Sequence, residues 1–386
     1  MPTSPERPPY PFARPLVPRP EAWLPYLEAS YEQRWFTNGG PVATRLEAAL
    51  AEHVGGGREL VACASATSGI TATLLALELR GPVAVPAFTF PATVHAIELA
   101  GCTPVFCDID AAKLELDPLD VQRALHEHDC VAVVHVRAFG FCHDVAPLEQ
   151  VTRAAGVPLV IDAAAAFGGT TPDGLPVGRS GDAEVFSFHA TKVFAVGEGG
   201  AISTSPELAA RIRHVANFAI DGSDVTRRAI NAKLPDVAAA IGLAMLDQLP
   251  RHVAVRVAAA SSLLDRLAGS DVELPHLAAG RPPLQCLPLL MPARDARARL
   301  VDALSGSGIE SRSYYCPGLH RATAWNATPA AHRPLPVTDA ITERAVALPL
   351  YSDLAGAELR HVASALEQAL LDAGVAPREQ QDRRAA

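Results

Sequence analysis

One lysine has the surroundings that make an amine reactive. It lies in Asp182-Ala-Glu-Val-Phe-Ser-Phe-His-Ala-Thr-Lys192-Val-Phe-Ala-Val-Gly-Glu-Gly-Gly200. The apolar run Val185-Phe-Ser-Phe188 ahead of it reads as a buried strand. Gly197, Gly199 and Gly200 behind it let a backbone turn tightly or approach another group. An ammonium in apolar surroundings loses hydration, its pKa falls, and it becomes a nucleophilic amine near neutral pH. Such an amine can hold an aldehyde cofactor as a Schiff base. The same residues also suit a surface lysine at a strand exit.

Three other stretches carry chemistry. Pro158-Leu-Val-Ile-Asp162 reads as a strand ending on a carboxylate, and the alanines after it supply no counter-charge. Asp162 either caps the next turn or pairs with a cation from a ligand. Ser65-Ala-Thr-Ser-Gly69 stands between the strand Glu59 to Ala64 and a helix expected from about Gly69 to Leu79. A strand, a turn of small hydroxyl residues and a helix start offer free N–H groups and a positive dipole end to an anion. Thr67 and Ser68 either hold that anion or cap the helix. Phe88-Thr-Phe90 places aromatic rings at another helix start. Pyridoxal phosphate needs this whole set: N–H donors for the phosphate, an aromatic ring to stack on, an anion beside the ring nitrogen, and a lysine for the aldehyde.

The elements that must position these residues alternate. Val83–Pro86, Pro104–Cys107 and Cys130–Val136 are expected as strands, followed by Asp162's strand, the Lys192 strand and Gly200–Thr204. Helices are expected at Phe90–Ala100, Pro118–His126 and Val145–Ala155 between them. The strands are continuously apolar, as in a parallel sheet covered on both faces. The alternation predicts an α/β architecture whose ligands sit at the carboxyl ends of strands. Residues 1 to 36 read as a proline-rich extended segment and a helix. Residues 37 to 250 form the large ligand-binding domain. The pattern changes near Pro250, so 251 to 372 read as a smaller α+β domain, and 373 to 386 as a frayed tail.

The chain has 386 residues, 49% hydrophobic and 19% charged, with a formal net charge of −9. That acidic balance argues against nucleic acid as a partner. No apolar run reaches membrane-spanning length, and the first residues lack a signal-peptide core. The seven cysteines are scattered without a C-x-x-C pair, and the 13 histidines lack metal-ligand spacing. No metal is expected, and a cytoplasmic location is.

The order and wording of these motifs resemble the DegT/StrS-type nucleotide-sugar aminotransferases, pyridoxal-phosphate enzymes of fold type I. The resemblance is carried by Phe186-Ser-Phe-His-Ala-Thr-Lys192 with Gly197-Glu-Gly-Gly200. Ala64-Ser-Ala-Thr-Ser-Gly69, Pro86-Ala-Phe-Thr-Phe-Pro-Ala-Thr93 and Asn231-Ala-Lys-Leu-Pro-Asp236 match nearly as well. It implies an aspartate-aminotransferase-like α/β fold: a large domain with a mostly parallel sheet covered by helices, and a smaller C-terminal α+β domain. It further implies that Lys192 holds the cofactor aldehyde and shuttles the proton. Asp162 would pair with the pyridine nitrogen, Phe90 would stack on the ring, and Thr67, Ser68 and Ser187 would hold the phosphate. Asn231 matches a residue that reaches the phosphate from a neighbouring subunit, which implies a homodimer with shared sites. Tyr314, Tyr315 and His320 match a substrate-side loop loosely. His189 is assigned packing or hydrogen bonding beside the lysine turn, and no catalytic role.

The chain departs from the family three residues after Asp162, where Ala165 replaces the usual glutamine or histidine facing the ring. The segment between Phe218 and Asn231 is also short. The resemblance implies transfer of an amino group from glutamate to C4 of a nucleotide-linked 4-keto-6-deoxyhexose. The alternatives are another reaction on the same cofactor (elimination, cyclisation, or transamination of a non-sugar ketone) and a non-catalytic sensor. A sensor would need neither Asp162 nor Lys192.

Overall fold

The computed structural model describes residues 8–275, 280–326 and 333–375. Seven strands form the central sheet: β1 Glu59–Cys63, β2 Pro82–Pro86, β3 Thr103–Cys107, β4 Ala132–Val136, β5 Leu159–Asp162, β6 Ala183–Ser187 and β7 Gly200–Thr204. Their order is β1-β7-β6-β5-β4-β2-β3. The neighbours from β6 through β5, β4 and β2 to β3 are parallel, and β7 runs against both β6 and β1. The expected strands are present because each is buried along nearly its whole length.

The helices preceding and crossing the sheet are α1 Pro20–Trp23, α2 Glu28–Gln33, α3 Pro41–Val54, α4 Ala66–Ala76, α5 Pro91–Leu99, α6 Pro118–His128, α7 Ala146–Ala155 and α8 Pro206–Ala216. One apolar layer joins α4, α5 and α8 to the sheet through residues such as Ile70, Ile97 and Ile212. The other joins α3 and α6 through Leu46, Leu50 and Val121, together with Phe186 and Phe188. The single helix expected within residues 1 to 36 is interrupted by a 3-10 turn, Leu24–Leu27, which contains Pro25. Proline has no N–H to continue the α-helical ladder.

After a two-residue hairpin, β8 Ile220–Asp221 and β9 Asp224–Val225, comes α9, Asp236–Leu264. It is one helix of 29 residues and runs straight through Pro250, where a domain boundary was expected. Its first half packs in the large core through Leu243, Met245 and Leu249, and its second half in the small one through Ala259, Ala260 and Leu263. Burial on both sides of the proline outweighs one missing backbone bond. The small domain is completed by β10 Cys286–Leu290, α10 Arg294–Gly306, α11 Pro336–Arg344, β11 Ala345–Pro349 and α12 Gly356–Ala373. β10 and β11 pair antiparallel. Its apolar core takes in Phe88, Phe139 and Phe141 of the large domain, so the two are packed continuously. The tail expected from 373 lies almost wholly outside the described residues.

Asp236 opens α9 and is fully buried. It accepts from Ser30 Oγ at 2.6 Å, Val42 N at 3.3 Å and Ala43 N at 3.0 Å. One carboxylate thus caps α3 and ties the start of α9 to α2. Asp236→Ala is expected to cost about 3 kcal/mol, the scale of removing hydrogen bonds to a buried charged group. Urea unfolding measures it, and a loss below about 1 kcal/mol would show the cap to be incidental.

Candidate active site

The carboxyl ends of β4, β5 and β6 open into a cavity of about 420 Å³. Lys192 reaches it from the turn that joins β6 to β7. That turn is closed by Phe188 N donating to Gly199 O at 2.8 Å and Ala190 N to Gly197 O at 2.8 Å. Gly197 has φ +101°, which side-chain-bearing residues rarely adopt. At Gly200 a Cβ would stand 2.5 Å from Phe186 O, so only glycine lets β7 fold back this closely.

Burial pushes the Lys192 ammonium below its usual pKa, opposed by the negative charge of Asp162. Its Nζ donates to Gln285 Oε1 at 2.8 Å. Asp162 is 7% exposed at the end of β5. Its Oδ2 accepts from Thr93 Oγ1 at 2.7 Å and its Oδ1 from Ala164 N at 3.0 Å. With the chain's own groups alone, burial pushes the Asp162 pKa up, while Thr93, Ala164 and Lys192 pull it down. A cation beside it, such as the ring nitrogen the family resemblance implies, would favour the charged form and work against that rise.

The anion-ready turn is present, with a different assignment of its hydroxyls. The N-cap of α4 is Ser65, whose Oγ accepts from Ser68 N at 3.1 Å. Ser68 Oγ accepts from Ser65 N at 3.0 Å and donates to Ser65 O at 2.9 Å. Ser68 is therefore spent on the capping box and does not line the cavity, contrary to its expected role on a phosphate. The helix accordingly begins at Ala66 and not near Gly69. Ser65, Ala66, Thr67 and Ser187 do line the cavity. The N–H groups of Ala66 and Thr67, as the first of a helix, have no partner within it.

Phe90 is the N-cap residue of α5 and lines the cavity with 55% of its surface exposed. Tyr314 and Tyr315 form an aromatic wall. Tyr315 stacks on Phe139 at 5.7 Å between centroids and meets Phe88 edge-on at 5.0 Å. His320 is not part of that wall. It is 2% exposed, its Nε2 lies 3.0 Å from Asp339 Oδ1, and burial pushes its pKa down. It serves to join its loop to α11. Asn231 is exposed and lies outside this chain's cavity, on a bridge with Asn217. His189 Nδ1 pairs with Thr191 Oγ1 at 2.8 Å beside the lysine. Ala165 lines the cavity without a polar side chain.

Sequence reasoning missed Thr93, Gln285 and Arg137. Thr93 ended a quoted motif and could have been read as a partner for Asp162. Arg137, 1% exposed, lines the cavity and is bound by Glu184 Oε1 through Nε at 3.0 Å and Nη2 at 2.9 Å. The donor set fits pyridoxal phosphate: helix-start N–H groups and hydroxyls for an anion, a desolvated amine for an aldehyde, and a buried carboxylate for a ring nitrogen.

Residues 20–367 match the family model described as the DegT/DnrJ/EryC1/StrS aminotransferase family. The chain belongs to that family. It is a sugar aminotransferase that uses pyridoxal phosphate, with the α/β architecture of fold type I. Among its relatives is GDP-perosamine synthase of Caulobacter vibrioides, 30% identical over 367 residues, covering 90% of this chain and 95% of that one. Protein Rv3402c of Mycobacterium tuberculosis is 32% identical over 377 residues, covering 94% of this chain and 90% of that one. The crystal structure of DesI in the presence of its TDP-sugar product superposes with a TM-score of 0.87, at 33% identity, covering 99% of this chain and 96% of that one.

Asp162→Asn keeps hydrogen-bonding capacity and loses the charge. Turnover is expected to fall by about 10²–10³-fold, the scale of losing one preorganised electrostatic partner. Thr93→Val leaves Asp162 one donor short, and turnover is expected to fall about tenfold. Single-turnover kinetics followed at the cofactor absorbance measures both. A wild-type rate in Asp162→Asn would reduce the residue to a turn cap.

Proposed function

We propose that this aminotransferase moves an amino group from glutamate to C4 of a nucleotide-linked 4-keto-6-deoxyhexose. The observation that carries the reading is the meeting of a desolvated Lys192 with a buried Asp162 in one cavity whose rim is a helix N-terminus. The relatives named above as GDP-perosamine synthase and DesI, the latter with a TDP-sugar product, support a nucleotide-linked sugar as acceptor.

Bound pyridoxal phosphate supplies the electron sink for the carbon that loses its proton. The rest is done by the chain. Ala66 and Thr67 N–H groups with the Thr67 and Ser187 hydroxyls hold the phosphate. Asp162 keeps a negative charge beside the ring nitrogen, oriented by Thr93 and Ala164. Phe90 offers its exposed face to the ring. Lys192 Nζ takes a proton and returns it, and its lowered pKa leaves more of it as free amine near neutral pH. Arg137 stays paired with Glu184, so it lines the cavity without an unbalanced charge.

A homodimer completes the proposal. Asn231 is exposed outside its own cavity, and nearby Phe218, Ile220 and Val225 are 45%, 52% and 65% exposed. That apolar patch supports burial against a second copy, which would bring Asn231 to the partner's phosphate. The seven thiols are all unpaired, which supports a cytoplasmic location. No helix among the described residues is long and apolar enough to cross a membrane.

Adding glutamate to the cofactor-loaded protein should convert the pyridoxal absorbance to that of pyridoxamine phosphate. Lys192→Ala should abolish the change and remove the site of borohydride labelling. A cofactor that keeps its colour with every amino donor would sink the transaminase half-reaction. Sedimentation at micromolar concentration should give a dimer, and Asn231→Ala should weaken cofactor retention. A fully active monomer would rule out the shared site.

A further inference from the structure

Lys192 belongs to the large domain, yet its amine is met by a residue of the small one. Gln285 directly precedes β10, and its Oε1 accepts from Lys192 Nζ at 2.8 Å. An ammonium can only donate, so with Lys192 protonated the amide oxygen is the atom that faces it.

The backbone of Gln285 is held on both sides. Its N–H donates to Phe139 O at 3.4 Å. Its carbonyl accepts from Arg256 Nη1 at 3.1 Å. The same nitrogen donates to Leu284 O at 3.2 Å and Leu350 O at 2.9 Å, and Arg256 Nε donates to Ser352 Oγ at 2.8 Å. Arg256 comes from α9 and is 4% exposed. Burial pushes its pKa down to about 10, so it remains a cation at neutral pH. Burying a guanidinium against carbonyls and a hydroxyl, with no carboxylate among the described residues in hydrogen-bond contact, is unfavourable compared with an apolar side chain of similar size. Packing alone gives no reason for it. Its geometric result is that α9, the residues before β10 and the segment after β11 meet at the backbone of Gln285.

We propose that Gln285 is the positioning residue of the Lys192 amine, held in place by Arg256, and that it sets where the amine points and how readily it keeps its proton. The reading rests on Lys192 being the reactive amine of the transaminase proposed above. In the cavity Gln285 supplies what Ala165 cannot, an uncharged acceptor beside the lysine. A carboxylate there would hold the amine protonated. A glutamine orients it and leaves it free to take up and release a proton.

Other groups share the lysine's surroundings. Asp162 faces it from β5 and Cys286 from β10. Tyr314, Tyr315, His189 and Glu198 line the same cavity, as does Arg137, which is neutralised by Glu184. Burial holds the Cys286 thiol up at about 12 and raises both tyrosines, so these three stay uncharged near neutral pH.

The test uses the full chain without cofactor. Lys192 is acylated by a small amine reagent across a pH series, and the labelled peptide is quantified by mass spectrometry. Gln285→Leu keeps the volume and removes the acceptor, so the Lys192 midpoint should move down. Gln285→Glu adds a charge within contact and should move it up by about one unit or more. In the loaded enzyme, Gln285→Leu should slow the glutamate half-reaction about tenfold with KM little changed. Arg256→Met should shift the midpoint in the same direction as Gln285→Leu. Melting temperatures check folding, and Gln285→Glu carries the test if the leucine variant unfolds. An identical Lys192 midpoint in the wild type and in the folded Gln285 variants overturns the proposal. Shifted midpoints in a chain that aminates no keto sugar nucleotide would keep Gln285 in its role and remove the proposed acceptor instead.

Discussion

An amine and a carboxylate kept out of water beside one another set the terms for this molecule. Desolvation drives the Lys192 pKa down and the Asp162 pKa up, each toward its neutral form, while their mutual attraction works the other way. The balance is what makes the pair useful. A fully solvated lysine would be protonated and inert near neutral pH, and a carboxylate without Thr93 and Ala164 would give up its charge to burial. The apolar layers on both faces of the sheet maintain that condition, since they bury β5 and β6 along their whole length up to the cavity.

The direction of β7 follows from the same requirement. A parallel continuation after β6 would need a long crossover, whereas an antiparallel return needs only a short turn. That turn, closed by backbone bonds from Phe188 and Ala190 and by the closeness allowed at Gly200, is what carries Lys192. The lysine is thus planted on paired backbone at both ends. Asp162 is planted likewise, at the last residue of a central strand whose neighbours on both sides are also buried. Two rigid strand ends fix two side chains with little freedom to drift, which is what a proton transfer over short distance demands.

Much of this was legible in the sequence, and the failures share a cause. The strands could be read because burial on both faces makes each one continuously apolar. Lys192 and Asp162 could be read because each ends or follows such a strand. The helix cap could not be assigned because Ser65-Ala-Thr-Ser68 offers three hydroxyls within one turn. Which one caps is decided by φ and ψ, and Ser65 is the extended residue. The continuity of α9 was not legible because Pro250 is a strong local breaker, and only the buried faces of the helix in two cores show why it continues. His320 failed because spacing along a loop does not reveal which side chains turn inward. Gln285 had no local signal at all: it meets Lys192 across 93 residues of sequence.

Those long-range contacts explain why the small domain is more than a cover. Its core runs into the large one through Phe88, Phe139 and Phe141, so the aromatic wall of Tyr314 and Tyr315 is packed from behind and not merely laid over the cavity. The shared helix α9 then supplies both ends of the arrangement. Its first residue, Asp236, fixes the elements that lead into the sheet, and Arg256, about five and a half turns further along, fixes the residue that touches the amine. A change in the angle between the domains would have to bend that helix or break one of these buried charged contacts. The placement of the lysine is therefore tied to the integrity of the whole chain, and not only to the turn that bears it.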